Sequence, residues 1–197
     1  MNMNTNIISG NKGLANLGNT CYMNAAIQCL SHLLEFHPKN DNFIDNLNKA
    51  DELYKTWYNT QIHLWSNLGG NIVVPKKLLR CFIKTCNEKD ICFYNFNQND
   101  TEEFINIFMD LLHRSIKRDA NISIEGTPKN QLEKLQVKSV NSWSQFFKND
   151  YSYVIQKFYS QQLSITSCTK CDYMAINFDP YMVLSLEIPK DSSSIYD

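Results

Sequence analysis

The sequence predicts an α+β protein with a helical lobe followed by a sheet lobe, and three observations predict it. Up to about residue 117 the apolar residues recur at spacings of three and four, the period of helices that bury one face. After about Ile155 they alternate with polar residues, as in strands with one face covered. Of the 197 residues, 43% are hydrophobic and 12% aromatic, with only 6 glycines and 5 prolines, enough side chain for a sizeable core and a composition unlike disordered chains. Helices first and strands later, without an internal repeat, point to α+β and not to alternating α/β order.

Residues 1–12 are polar and read as a flexible arm. Gly13, Gly18 and several Asn give 13–20 the chemistry of turns. A helix begins at Cys21, with Met23, Ala26, Ile27, Leu30, Leu33 and Leu34 recurring on one face. It stops at His37-Pro38, because the residue before a proline resists the helical region. Phe43, Ile44, Leu47, Leu53 and Trp57 place a second helix within 41–65, and Gly69-Gly70 ends it. A β-branched run, Ile72 to Val74, precedes Pro75, and Leu78, Leu79, Phe82 and Ile83 then predict a short helix. The clearest helix runs from about Asp100 to Lys117 on the apolar face of Phe104, Ile105, Ile107, Phe108, Leu111, Leu112 and Ile116. Asp100 and Glu103 form a capping-box pair at its start. Residues 119–139, with Gly126-Thr-Pro128, read as a mobile linker, and helical spacing returns at Trp143, Phe146 and Phe147. Leu163 and Ile165, then Val183, Leu184, Leu186 and Ile188, alternate as strands do, and 190–197 reads as a polar tail.

A formal net charge of -1 argues against nucleic acid as a partner, since phosphate binding needs concentrated Lys and Arg. No apolar run approaches the ~18 residues of a membrane span. Met1 to Lys12 lacks the basic and apolar regions of a secretory signal. The seven cysteines, an odd number, then read as free thiols in an intracellular, reducing compartment. For the same reason Asn99-Asp-Thr101 and Asn121-Ile-Ser123 are read as chance matches to the glycosylation pattern.

Cys21 lies where a turn rich in Gly and Asn becomes a helix. Unpaired N–H groups at a helix start favour a thiolate, the nucleophilic form of cysteine. Acyl transfer also needs a donor for the oxyanion, and Asn16, Asn19 and nearby backbone amides offer one. The alternative is a cysteine buried at the helix start.

The run Gly13-Leu-Ala-Asn16-Leu-Gly18-Asn-Thr20-Cys21-Tyr22-Met23-Asn24-Ala-Ala-Ile-Gln28-Cys29-Leu30 resembles the cysteine box of the ubiquitin-specific proteases, papain-like cysteine peptidases that remove ubiquitin. The resemblance implies Cys21 as nucleophile and Asn16 as the oxyanion-stabilising residue, with a papain-like fold of helical thumb, partial fingers and the first part of a palm sheet over 13–189. Cys29 reads as core packing. Gln98-Asn99-Asp100-Thr101-Glu102-Glu103-Phe104 is similar to a second signature of the family, with Asn99 where a Gln is usual and Thr101 where an Ala is usual. It implies that Gln98 and Asp100 hold the basic, extended C-terminus of ubiquitin, a role compatible with capping because one carboxylate oxygen stays available.

Cys168-Thr-Lys-Cys171 is a single C-x-x-C pair, whereas a four-ligand zinc site takes two such pairs. A redox pair is the alternative, though no thioredoxin-like βαβ pattern surrounds it. Trp143, Phe147, Asn149, Ile155, Phe158 and Gln161 before it, and Phe178, Pro180, Leu184, Ser185, Leu186 and Pro189 after it, resemble the stretches that flank the family's first zinc-binding pair. In the family a second C-x-x-C follows. Cys168 and Cys171 are thus expected to be half of a structural zinc site whose other pair lies outside this sequence.

A papain-like mechanism needs a histidine far downstream of the cysteine. The four present, His32, His37, His63 and His113, all lie before residue 114 and lack the family's surroundings, so structural or surface roles are expected for them. The overall expectation is a deubiquitinating cysteine protease acting on ubiquitin and its conjugates, C-terminally incomplete and without its base. The alternative is a non-catalytic ubiquitin-binding remnant or adaptor.

Overall fold

The computed structural model describes residues 10–93 and 97–186. Residues 1–9 of the expected arm, the 190–197 tail, Ile188 and Pro189 lie outside them. The chain divides into two compact units, residues 1–117 with 152–154, and residues 118–151 with 155–197.

In the first unit, β1 (Gly13–Leu14) pairs in parallel with β2 (Ile72–Val73), and α1 (Cys21–Ser31) follows a turn. α1 buries Met23, Ala26, Ile27 and Leu30, the expected face. It ends at Ser31, six residues before the expected stop, so Leu33 and Leu34 fall past its end and are exposed. The single helix expected within 41–65 is two, α2 (Asp41–Asp45) and α3 (Glu52–Trp65). Each has its own cap: Asn40 Oδ1 accepts the Phe43 N–H at 3.2 Å, and Asp51 Oδ1 accepts the Tyr54 N–H at 3.1 Å. An Asx residue in extended conformation starts a helix at the cost of continuing the one before it. α4 (Lys76–Glu88) begins after Pro75 as expected and runs to 13 residues. α5 (Thr101–Ile116) matches the prediction, and Asp100 Oδ1 accepts the N–H groups of Glu102 (2.7 Å) and Glu103 (3.2 Å).

The core is an aromatic lattice. Phe36 meets Trp57 edge-on at 5.6 Å, Trp57 meets Phe108 at 5.3 Å, and Phe108 stacks on Phe104 at 5.4 Å. Phe82 meets Phe104 edge-on at 5.1 Å. Such pairs add about 0.5–1.5 kcal/mol each beyond the area they bury. Burial pushes the Cys86 thiol up to about 11, so it stays a neutral core group.

His37 stands edge-on to Trp65, with ring centroids 4.6 Å apart. Its Nδ1 accepts the Lys39 N–H at 3.2 Å, which requires an unprotonated Nδ1. Burial, and then the Lys39 charge, hold its pKa below the ordinary histidine value. The folded chain therefore resists a proton that the unfolded chain takes up near pH 6.5. Stability is fully present above about pH 6.5 and falls as pH drops towards the lowered folded pKa. Thermal melts across this range should show a shallower loss on acidification in His37→Gln than in the wild type; equal slopes would contradict the assignment.

In the second unit, α6 (Gln131–Phe147) begins where a linker was expected to continue to 139. Asn130 Oδ1 accepts the Glu133 N–H at 2.8 Å, and the Glu133 carboxylate accepts from Asn130 Nδ2 at 2.8 Å. This reciprocal Asn130–Glu133 cap starts the helix although its first turns face solvent. α7 (Tyr153–Phe158) precedes β3 (Ser160–Ser167), which pairs antiparallel with β4 (Met174–Tyr181) from Ser160↔Tyr181 to Ser167↔Met174. The register places Leu163 opposite Phe178 and Ile165 opposite Ile176 on one face. The strand expected from Val183 does not form over 183–186. Among the described residues no strand offers that stretch a ladder, and β4, earlier in sequence, takes the place beside β3.

Candidate active site

The segment between β1 and α1 is built around Asn16. Its Oδ1 accepts three hydrogen bonds: from the Gly18 N–H (3.0 Å), the Thr20 N–H (3.2 Å) and the Thr20 hydroxyl (3.0 Å). The Thr20 Oγ1 in turn accepts the Leu17 N–H at 3.0 Å. Thr20 is thereby spent on the turn and does not cap α1 with its side chain. The backbone reverses through two successive left-handed residues, Gly18 (φ 98°) and Asn19 (φ 52°). That conformation is open to glycine and tolerated by Asn. With Oδ1 committed to the turn, Asn16 presents its Nδ2 hydrogens, on an exposed side chain.

Cys21 is the first residue of α1 and its side chain is exposed, which removes the reading of a buried structural thiol. Cys29 is also exposed, which corrects the expectation that it packs in the core: with Ala25 it shares the outward side of α1, away from Met23, Ala26 and Ile27. Two residues that sequence reasoning passed over hold α1 to the strand before it. Asn24 Nδ2 donates to the Ala15 carbonyl (3.1 Å) and Gln28 Nε2 to the Lys12 carbonyl (2.9 Å). Their signal was present as a polar i,i+4 pair, which must face one side of a helix.

The next residue, Tyr22, is buried, with its ring edge-on to Phe104 at 5.8 Å and tilted against Phe93 at 6.1 Å. Its hydroxyl oxygen accepts from Asn99 Nδ2 at 3.2 Å. The structure thus brings the Gln98–Asp100 segment to the start of α1. Gln98 and Asp100 are both exposed, and Asp100 spends Oδ1 on the α5 cap, leaving Oδ2.

The histidines lie elsewhere. His32 and His37 pack against Trp65, and His63 is exposed on α3. His113 is buried with Nδ1 2.8 Å from the Ser152 hydroxyl, nine residues beyond Phe104, about 14 Å along α5 at the usual rise.

In the second unit Cys168 and Cys171 sit in the turn between β3 and β4, both exposed. The Cys168 N–H donates to the Tyr173 carbonyl at 2.9 Å, and Cys168 Sγ accepts the Lys170 N–H at 3.4 Å. The Lys170 N–H and then the Cys171 thiol hold the Cys168 thiol below the usual range. The turn offers two thiols, two of the four ligands that a structural zinc site requires. Among the described residues no three or more His, Cys, Asp or Glu side chains converge. All seven cysteines are free, and among the described residues no helix is long and apolar enough to cross a membrane.

Residues 12–190 match the family described as ubiquitin carboxyl-terminal hydrolase. The chain is 30% identical over 185 residues to ubiquitin carboxyl-terminal hydrolase Usp2 of Drosophila melanogaster, an alignment covering 91% of this chain and 19% of that protein. It is 29% identical over 202 residues to ubiquitin carboxyl-terminal hydrolase 2 of Bos taurus, covering 95% of this chain and 31% of that protein. It therefore spans between about a fifth and a third of these relatives. Two solved structures of the SAGA Ubp8/Sgf11/Sus1/Sgf73 DUB module match over 100% of this chain and 40% of theirs, with TM-scores of 0.61 and 0.58 at 21% and 20% identity. They share the α+β, papain-like fold expected from the sequence. The chain belongs to the ubiquitin carboxyl-terminal hydrolase family, in its ubiquitin-specific protease branch.

Proposed function

We propose that this chain carries the nucleophile and the oxyanion donor of a thiol-dependent deubiquitinase. The Cys21 thiolate attacks the carbonyl carbon of the last glycine of ubiquitin, forming an S–C bond as the carbonyl π electrons move onto oxygen. Charge developing on the carbonyl oxygen is met by Asn16 Nδ2 and by backbone N–H groups at the start of α1. The intermediate collapses with loss of the amine, and water then cleaves the thioester. The observation that supports this reading is the occupation of Asn16 Oδ1 by three donors of its own turn, two of them on Thr20, the residue before Cys21, which leaves the Nδ2 hydrogens of this exposed side chain as the group it can offer a substrate. Gln98 and the remaining oxygen of Asp100 are the acceptors for a basic, extended substrate tail.

Proton transfer from the thiol and to the departing amine requires an acid–base group. The histidines of this chain are engaged or placed away from the start of α1. The chain by itself should therefore react once and not turn over. Ubiquitin bearing a C-terminal electrophile should form a one-to-one adduct with it, while a ubiquitin C-terminal amide is not hydrolysed. Absence of the adduct would overturn the proposal, and robust turnover lost in Cys21→Ala would show that the chain holds its own base.

We further propose that Cys168 and Cys171 supply two of the four ligands of a structural zinc at the hairpin tip, where the metal would hold the turn closed. Cobalt added to the chain should give thiolate-to-metal absorption that Cys168→Ser removes; an unchanged spectrum would contradict this. Seven free thiols suit an intracellular, reducing compartment, with ubiquitin conjugates as partners.

A further inference from the structure

We infer that the Tyr22–Asn99 hydrogen bond is a positioning link, which aligns the tail-binding segment with the attacking sulfur. It rests on the function proposed above and adds to it two residues that do not themselves touch the reacting atoms.

Tyr22 has two separable parts. The ring is held by Phe93 and Phe104 and fills the core as a phenylalanine would. The hydroxyl adds nothing to that packing. Its oxygen accepts from Asn99 Nδ2 at 3.2 Å, across 77 positions of sequence. Asn99 Nδ2 also donates to the Asn97 carbonyl at 3.1 Å, so the amide is braced within its own segment. Burial raises the Tyr22 pKa, so the hydroxyl stays protonated at any working pH.

The covalent neighbours give the link its consequence. Tyr22 directly follows Cys21, and Asn99 lies between Gln98 and Asp100. Successive Cα atoms are about 3.8 Å apart, so a bond between residues 22 and 99 fixes both pairs of neighbours within a residue of the contact. On the other side Asp100 is anchored to α5 through Glu102 N–H and Glu103 N–H. The segment is thus clamped between α1 and α5, with Gln98 and Asp100 facing solvent. A substrate tail held there is set in register with the sulfur by one hydrogen bond. Misplacement of a substrate by about 1 Å is enough to cost two orders of magnitude in an enzyme that depends on alignment.

The test compares labelling of Cys21 by ubiquitin bearing a C-terminal electrophile with labelling by iodoacetamide, which needs no tail site. Wild type, Tyr22→Phe, Asn99→Ala and the double variant are measured with a thermal melt of each. Each single change should slow the ubiquitin reaction roughly three- to tenfold, the range of one hydrogen bond. The double variant should be no slower than the worse single one, and iodoacetamide rates should be unchanged. Unaltered ubiquitin labelling in a folded Tyr22→Phe chain would overturn the inference. So would an equal fall with iodoacetamide, which would mark an effect on the thiol and not on alignment, or strictly additive losses. If Tyr22→Phe fails to fold, Asn99→Ala decides by the same criteria. A wild-type chain that the ubiquitin reagent does not label overturns the functional reading and this inference together, whereas labelling of the wild type with unchanged variants overturns this inference alone.

Discussion

Cys21→Ala should abolish covalent capture of electrophilic ubiquitin by the chain. Five cysteines are exposed, so exposure alone does not select one. What distinguishes Cys21 is its place at the first residue of α1, beside a turn whose donors are fixed by Asn16. Cys29→Ala and Cys92→Ala should leave capture intact, since Cys29 lies two turns along α1 and Cys92 after the end of α4. Asn16→Ala should reduce capture too, although it also removes the acceptor of three hydrogen bonds and so loosens the turn itself. Retention of capture in Cys21→Ala would remove the proposed nucleophile.

The largest stability effect is expected at Phe104. Its side chain is 1% exposed and meets Tyr22, Phe82, Phe93 and Phe108. It therefore joins the core lattice to the residue after Cys21. Phe104→Ala leaves a cavity in rigid surroundings and should cost about 3–5 kcal/mol. In a chain of this size that lowers the melting temperature by roughly 10–15 °C, and it should slow capture as well, because Tyr22 loses its edge-on partner. Phe104→Leu should recover most of the loss. A melt of Phe104→Ala within a few degrees of the wild type would contradict this account of the core.

The helical part was legible where one face is fully buried. α5 and the face of α1 follow from apolar spacing, and the Asp100 cap from residue type. What was missed has local causes. Asp51 starts a helix inside the 41–65 stretch, whose apolar spacing looks continuous, because a cap acts through one side-chain oxygen that periodicity does not register. The first turns of α6 are solvated, so their helical order is encoded by Asn130 and Glu133 and not by an apolar stripe. Val183 to Leu186 alternate as a strand does, but a strand also needs a partner, and that is a property of the whole sheet.

The site was legible to the same degree. Cys21 was singled out by its place at a helix start, and Asn16, Gln98 and Asp100 by resemblance to two family signatures; the structure brings their segments to the start of α1. The ties that hold them there, Asn24 to Ala15, Gln28 to Lys12 and Asn99 to Tyr22, are contacts between residues 9, 16 and 77 positions apart, which spacing alone does not pair.

The most direct measurement is to form the adduct between the wild-type chain and electrophilic ubiquitin, digest it, and identify the modified residue by mass spectrometry. Modification confined to Cys21 is the predicted result. Modification of Cys29, Cys92, Cys168 or Cys171 in its place, or spread across them, would mean that exposure and not the Asn16 turn governs reactivity, and would contradict the assignment of the active site.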